Sequence, residues 1–215
     1  MPDALKQEVL ALFQTHRVLD IDGLKLHLAH RSHRSICRDL KEVQAIASYS
    51  HTGRYYTLEE LAQFDEKGLW HYKERIGFSV CGTLKATIEK WVLESESGYT
   101  YLELKSEFVV RIENVLLELV AAKRILREGI ARGYIYLSVA QARAHAQREQ
   151  RRKQNSIDTA PLPETQLIEI LAETIRGEHI CVDIRPLHER LQKRGVAVTM
   201  RQIALVLEMY GVKKG

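Results

Sequence analysis

The sequence predicts a mainly α-helical protein with a few small β-hairpins, and three observations predict it. Helix-forming residues dominate the 215 positions, and only four prolines interrupt them. Apolar residues recur at spacings of three and four through most of the chain and alternate only in short stretches. Apolar residues make up 45% and charged residues 28%, the ordinary balance of a chain that buries a core.

Taken in order, residues 3–16 carry Leu5, Val9, Leu12 and Phe13 at helical spacing, with Asp3 as a candidate cap. After a break at "RVLD", "IDGLKLHLA" reads as a short helix capped by Asp20 or Asp22, with Leu24 and Leu28 turned inward. A turn follows, and Ser32 is a good N-cap for "HRSICRDLKEVQA". The period then changes. "AIASYS" and "RYYTL" alternate around "HTG", which predicts a β-hairpin with Gly53 free to take positive φ.

Helix, helix, tight turn, helix and hairpin, from Leu5 to Leu58, resembles a winged helix-turn-helix domain. In that superfamily the third helix enters the DNA major groove and the wing touches backbone or minor groove. Placed at 100° per residue, Ile36, Leu40 and Val43 fall on one side of the third helix, and Arg34, Arg38 and Lys41 within about 60° on the other. A packing face thus opposes a basic ridge. The resemblance implies that His33, Arg34, Ser35, Arg38 and Lys41 read the groove, and it places His51, Thr52 and Arg54 at the tip of the wing. From Lys25 to Arg54 there are six basic residues (Lys25, Arg31, Arg34, Arg38, Lys41, Arg54) against two acidic ones (Asp39, Glu42). The net charge of +4 is a mild hint of an acidic partner, and its local concentration says more.

The arrangement repeats at an offset of 79 to 80 residues. Leu24 falls on Leu104, Ile36 on Leu116, Ile46 on Ile125 and Leu58 on Leu137, with Arg132-Gly133 at the turn of the second hairpin. Leu84, Ile88 and Trp91 supply the first helix of this copy, and Leu104 and Phe108 its second. Its third helix is flanked by Glu113, Glu118 and Glu128, with Lys123, Arg124 and Arg127 only near the end. That makes it a poorer groove reader, suited to backbone contact or to self-association. Phe64, Trp70, Tyr72 and Phe78 lie between the two copies and read as glue between modules. A small-molecule pocket is the sharper alternative there.

Residues 139–160 begin helical and become a charged tract with Arg148, Arg151, Arg152 and Lys153 close together, followed by the linker-like "SIDTAPLP". The last stretch predicts three helices. The first is stopped by Gly177, the second capped by Asp183 and stopped by Gly195, and the third capped by Thr199. This unit resembles a helix-turn-helix without a wing, which places Arg201 and Gln202 in the base-reading first turn. The expected organisation is therefore two winged-helix modules at 1–75 and 76–140, a basic extension and linker at 141–163, and a helix-turn-helix-like domain at 164–215.

Other chemistries find less support. His27, His30, His33 and Cys37 are metal-capable, but their spacing of three, three and four across two helices and a turn matches no structural zinc signature. They read instead as polar surface at a nucleic-acid interface. In "YSHTGRYY" the adjacent tyrosines of a strand point to opposite faces, which favours a wing over a stacking platform. There is no glycine-rich phosphate loop, GxSxG or HExxH, so no enzyme activity and no cofactor are expected. No apolar run approaches a membrane span, and "MPDALKQEV" lacks a signal-peptide pattern. The three scattered cysteines, Cys37, Cys81 and Cys181, suit a reducing cytoplasm. The expectation is a cytoplasmic, nucleoid-associated protein whose partner is double-stranded DNA, with no membrane partner. Its job would be transcription regulation or service to a mobile element or a replication origin. The rivals are a tandem winged-helix protein scaffold, of the kind that resembles bacterial chromosome-condensation subunits, and an RNA-binding module.

Overall fold

A computed structural model describes residues 2–130, 133–159, 162–176 and 183–212, with the side chains of 2–5, 157 and 159 left aside. The expectations for Asp3, Leu5, Arg132, Gly177 and Cys181 thus lie outside the described residues. The chain is mixed helix and strand, mainly α, with ten α-helices and small antiparallel sheets among the described residues. It divides into two compact units, 1–148 and 149–215.

The first unit opens with α1 (Pro2–His16), β1 (Leu19–Asp20), α2 (Ile21–His27), α3 (His33–Glu42), β2 (Ile46–Ala47) and β3 (Tyr55–Thr57). Helix starts follow the expected chemistry. Asp20 accepts a hydrogen bond from the Gly23 amide at 2.8 Å, and Ser32 accepts one from the Ser35 amide at 3.2 Å. Val9, Phe13, Leu24, Leu28, Ile36, Leu40 and Leu58 form the core beneath these elements. Each such side chain contributes about 1.5–3 kcal/mol on burial. Gly53 takes φ +73°, as the hairpin reading requires, and His51 and Thr52 before it are also left-handed.

The second half of this unit repeats the order. α4 (Leu84–Glu94), β6 (Tyr99–Thr100), α5 (Tyr101–Glu107), α6 (Glu113–Ala121), β7 (Ile125–Ile130) and β8 (Gly133–Ser138) follow one another. The sheet orders correspond, β1-β3-β2 and β6-β8-β7. So do the registers. Tyr56 opposes Leu19 and Ala47, and Tyr136, 80 residues later, opposes Tyr99 and Arg127. The pairs Ile46↔Thr57 and Leu126↔Leu137 correct two sequence equivalences by one residue: Ile46 matches Leu126 rather than Ile125, and Thr57, not Leu58, matches Leu137. Leu104, Phe108 and Leu116 are buried where Leu24, Leu28 and Ile36 are.

Between the halves stands a hairpin that the sequence reading did not foresee, β4 (Leu69–Tyr72) with β5 (Ile76–Ser79). Its turn residues Lys73 and Glu74 carry φ of 50° and 59° without a glycine, so the usual signal is absent. The glue role of its aromatics is visible in the packing. Trp70 stacks on Phe78, centroids 5.3 Å apart. The main tie between the halves is Tyr49. Its ring is buried in the second core, edge-on to Phe108 at 5.6 Å. Its hydroxyl lies 2.7 Å from His71 Nε2, and its amide donates to the Gly77 carbonyl at 2.8 Å. Gly77 is obligatory here, because a Cβ would overlap the Tyr49 ring.

α7 (Gln141–Thr159) gives its first turns to the first unit. Buried Gln147 donates to the Val92 carbonyl and accepts from the Ser138 amide, both at 2.8 Å. The second unit holds α8 (Glu164–Arg176), α9 (Ile184–Lys193) and α10 (Met200–Met209) around Ile170, Leu187, Leu191, Val198, Ile203, Val206 and Leu207. Asp183 and Thr199 cap α9 and α10 as expected. Its buried Glu173 accepts from Arg190 at 2.9 Å, Arg194 at 2.8 Å and Arg176 at 3.2 Å.

Candidate nucleic-acid interface

α3 has the two faces its sequence pattern requires. Ile36 and Leu40 are buried, and Arg34, Arg38 and Lys41 are exposed on the other side. These three cations, with Ser32, Ser35 and Cys37, line an open depression. Arg38 meets Glu42 one turn on at 3.7 Å, a loose surface pair. Arg34 and Lys41 make no ion pair with any described residue. Ser35 is less available than its position suggests, since its hydroxyl lies 3.0 Å from that of the cap Ser32. His33 is exposed, with Nδ1 3.7 Å from Cys37 Sγ.

The remaining histidines point elsewhere. His27 faces the ring of His16 at 4.9 Å, and His30 lies 3.8 Å from Glu8. Among the described residues no group of three His, Cys, Asp or Glu side chains is placed to hold a metal ion. Cys37 and Cys81 are half-buried free thiols. Of the two adjacent tyrosines, Tyr56 packs on the first core, and burial raises its pKa above the usual value, with Cys37 adding to the rise. Tyr55 lies edge-on to His51 at 5.2 Å.

Arg54, Arg148 and Arg152 are engaged rather than open, and Arg151 is not free either. Arg54 reaches from the hairpin loop to α2, 2.8 Å from Asp22 and 3.1 Å from Asp20, so two carboxylates already balance it. Arg148 forks onto Glu128, with Nε 2.9 and 3.1 Å from its two oxygens. That fork holds the Glu128 carboxyl below its ordinary range and the Arg148 guanidinium above its own. Arg152 pairs with Glu149 at 2.7 Å. Arg151 is half-buried and Lys153 exposed. His51 holds the Ser50 hydroxyl at 2.9 Å, and Thr52 is exposed at the loop tip.

Gln202 is a correction. It is buried, its side-chain oxygen accepts from the Thr199 amide at 2.9 Å, and its own amide donates to the Thr199 hydroxyl at 3.1 Å. It completes the capping box of α10 and does not face outward as a base reader would. Arg201 beside it is exposed. Arg31, counted with the local positive charge, is a second correction. It is buried in an ion pair with Asp39 on the inner side of α3. Asp39 sits at the edge of the Ile36/Leu40 stripe, and that position was the available signal.

The repeat supplies an internal control. At an offset of 80, Arg34, Arg38 and Lys41 become Asn114, Glu118 and Ala121, and buried Asp39 becomes buried Leu119. The outer face of α6 thus lacks cations at these positions and exposes Leu117 instead. No helix among the described residues is long and apolar enough to cross a membrane. Comparison with family models, curated proteins and solved structures finds no match to the chain.

Proposed function

We propose that the chain binds double-stranded DNA through α3, with residues 1–75 and 76–140 acting as winged-helix modules and the C-terminal unit as a helix-turn-helix-like domain. One observation carries the reading: Arg34, Arg38 and Lys41 share a single open face of a helix whose opposite face is buried. A helix of this width fits the major groove, where arginine holds guanine edges bidentately and lysine neutralises phosphate. Loss of the same cations from α6 supports a division of labour, in which the first module reads and the second contacts backbone or protein. Sequence-specific binding in the cytoplasm, for transcription regulation or for a mobile element or replication origin, is the job this reading suits. Exposed Leu117 on α6 favours a second reading, a protein scaffold, for the second module alone.

The test is fluorescence anisotropy on random-sequence duplexes across a salt series. Binding weakens with salt, because counterions are released with a log–log slope of about −0.9 per phosphate neutralised. Lys41→Ala flattens the slope by about 1, and Arg34→Ala with Arg38→Ala abolishes retention at physiological salt. Unchanged binding by that variant refutes the assignment of α3, and displacement by duplex RNA in preference to duplex DNA shifts it to an RNA-binding module.

A further inference from the structure

A cleft of about 440 Å³ lies between the turn that precedes β4 and the last turns of α4, all within the first unit. That volume falls in the range of small-molecule sites, about 300–1,000 Å³. Its apolar walls are Phe64, Val80, Trp91 and Tyr99, and its carboxylates are Asp65, Glu66 and Glu94. The parts are held by contacts of their own. The Asp65 carboxylate accepts from the Lys67 and Leu69 amides at 2.9 and 2.8 Å, and Gly68 takes φ +75°, which fixes the turn. Lys67 reaches Glu107 of α5 at 2.5 Å. Trp91 packs on Phe108 with centroids 5.2 Å apart, and Tyr99 stands 6.1 Å from the Trp91 ring. Trp70 and Phe78 stack on each other and do not line the cleft, so the aromatics between the halves divide into glue and wall.

We propose that this cleft binds a small organic cation with an apolar body, of the quaternary-ammonium class. Aromatic rings attract a cation through their quadrupole, and a nearby carboxylate adds a full opposite charge. Three carboxylates line the cleft against two amines, Lys67 and Lys90, and Lys67 is already balanced by Glu107. Glu66 and Glu94 make no ion pair with any described residue, so their charge is open to a ligand. An anion meets a lining of the wrong sign, and an uncharged aromatic gains only the walls. A bare metal ion finds no cage, since no group of three metal-capable side chains stands together among the described residues. A quaternary ammonium carries its charge on methyl groups and has no donor to satisfy, so it suits walls of ring and carboxylate. A nucleic acid is repelled by the same carboxylates, which separates this site from the cationic face of α3.

Titration of the full chain with benzyltrimethylammonium, without nucleic acid, tests this independently of the groove reading. Two readouts locate the site. Of the two tryptophans, Trp70 is buried against Phe78 and Trp91 lines the cleft. Intrinsic fluorescence is expected to change saturably at millimolar ligand, and Trp91→Phe removes the change. Cys81 also lines the cleft, so bound ligand slows its alkylation by iodoacetamide, read by mass spectrometry, while Cys37 reacts at its unliganded rate. Glu66→Gln with Glu94→Gln weakens binding by about tenfold. Both glutamates are exposed, and far-UV circular dichroism confirms that the variant retains its helices. Benzoate and benzyl alcohol, the anionic and uncharged relatives, produce neither effect at the same concentration. Absence of saturation overturns the proposal. So does equal binding of benzoate or benzyl alcohol, a signal that persists in Trp91→Phe, equal protection of Cys37, or a double variant that binds like the wild type.

Discussion

Tyr49 is the side chain of the first half whose ring is buried in the second core, and its removal has a calculable cost. The residue is 8% exposed. A buried tyrosine removes about 150–250 Å² from water, worth about 4–6 kcal/mol at ~25 cal/mol/Å². Residual compactness of the unfolded chain trims that figure, and aromatic truncations in cores cost about 3–5 kcal/mol. Tyr49→Ala is therefore expected to cost about 3–5 kcal/mol. Tyr49→Phe keeps the ring against Phe108 and loses the hydroxyl's 2.7 Å bond to His71 and its hydrogen bond with the Val109 backbone, for about 0.5–1.5 kcal/mol each. Both tryptophans, Trp70 and Trp91, lie in the unit 1–148, so intrinsic fluorescence during urea unfolding reports this unit. The midpoint should fall by about 1–2 M for the alanine variant and by much less for phenylalanine. The hydroxyl adds an alkaline signature. Burial, partly offset by the Val109 backbone, raises its pKa from 10.0 to about 12. A raised folded pKa means that stability is full below pH 10 and is lost between pH 10 and about 12, and Tyr49→Phe removes its share of that loss. Equal costs for the two variants, or less than about 1 kcal/mol for alanine, would show that the ring does not couple the halves.

Two further outcomes are expected. Asp39→Ala leaves Arg31 buried without its partner and costs about 3–5 kcal/mol by urea unfolding, whereas Arg31→Met with Asp39→Leu recovers most of it, since Leu119 already fills the corresponding place in the repeat; a double variant as unstable as the single one contradicts this. Burial opposes ionisation of Glu173, but hydrogen bonds from Arg194, Arg176 and Arg190 outweigh it and hold the carboxyl below its ordinary range. Its contribution is thus present above the unfolded pKa of about 4.3 and is lost on acidification through the lower folded value. Circular dichroism of Glu173→Gln should show a weaker acid dependence of helix loss, and an unchanged one removes the cluster from consideration.

The sequence alone placed the helices of both halves and of the C-terminal unit, because their caps and apolar stripes are local, but it ran α6 too far: the helix ends at Ala121, before Lys123 and Arg124, and Arg127 lies in β7. It also separated the buried from the cationic face of α3, for the same reason. Two-residue strands such as β1 and β6 carry no periodicity, and they exist only because β3 and β8 offer them hydrogen-bond partners far along the chain. The role of Gln202 was legible, since Thr199 stands three residues before it in a capping-box pattern, yet the base-reading analogy masked it.

Residue types and helical spacing fixed which cations belong to one face. Tertiary structure decided which of those cations keep an open charge. Arg31, Arg54 and Arg148 look as basic in sequence as Arg34 and Lys41, but the fold brings Asp39, Asp20, Asp22 and Glu128 against them. Coulomb attraction acts over distance in space, and distance in space between residues on different elements is set by the packing of the core, not by their order in the chain.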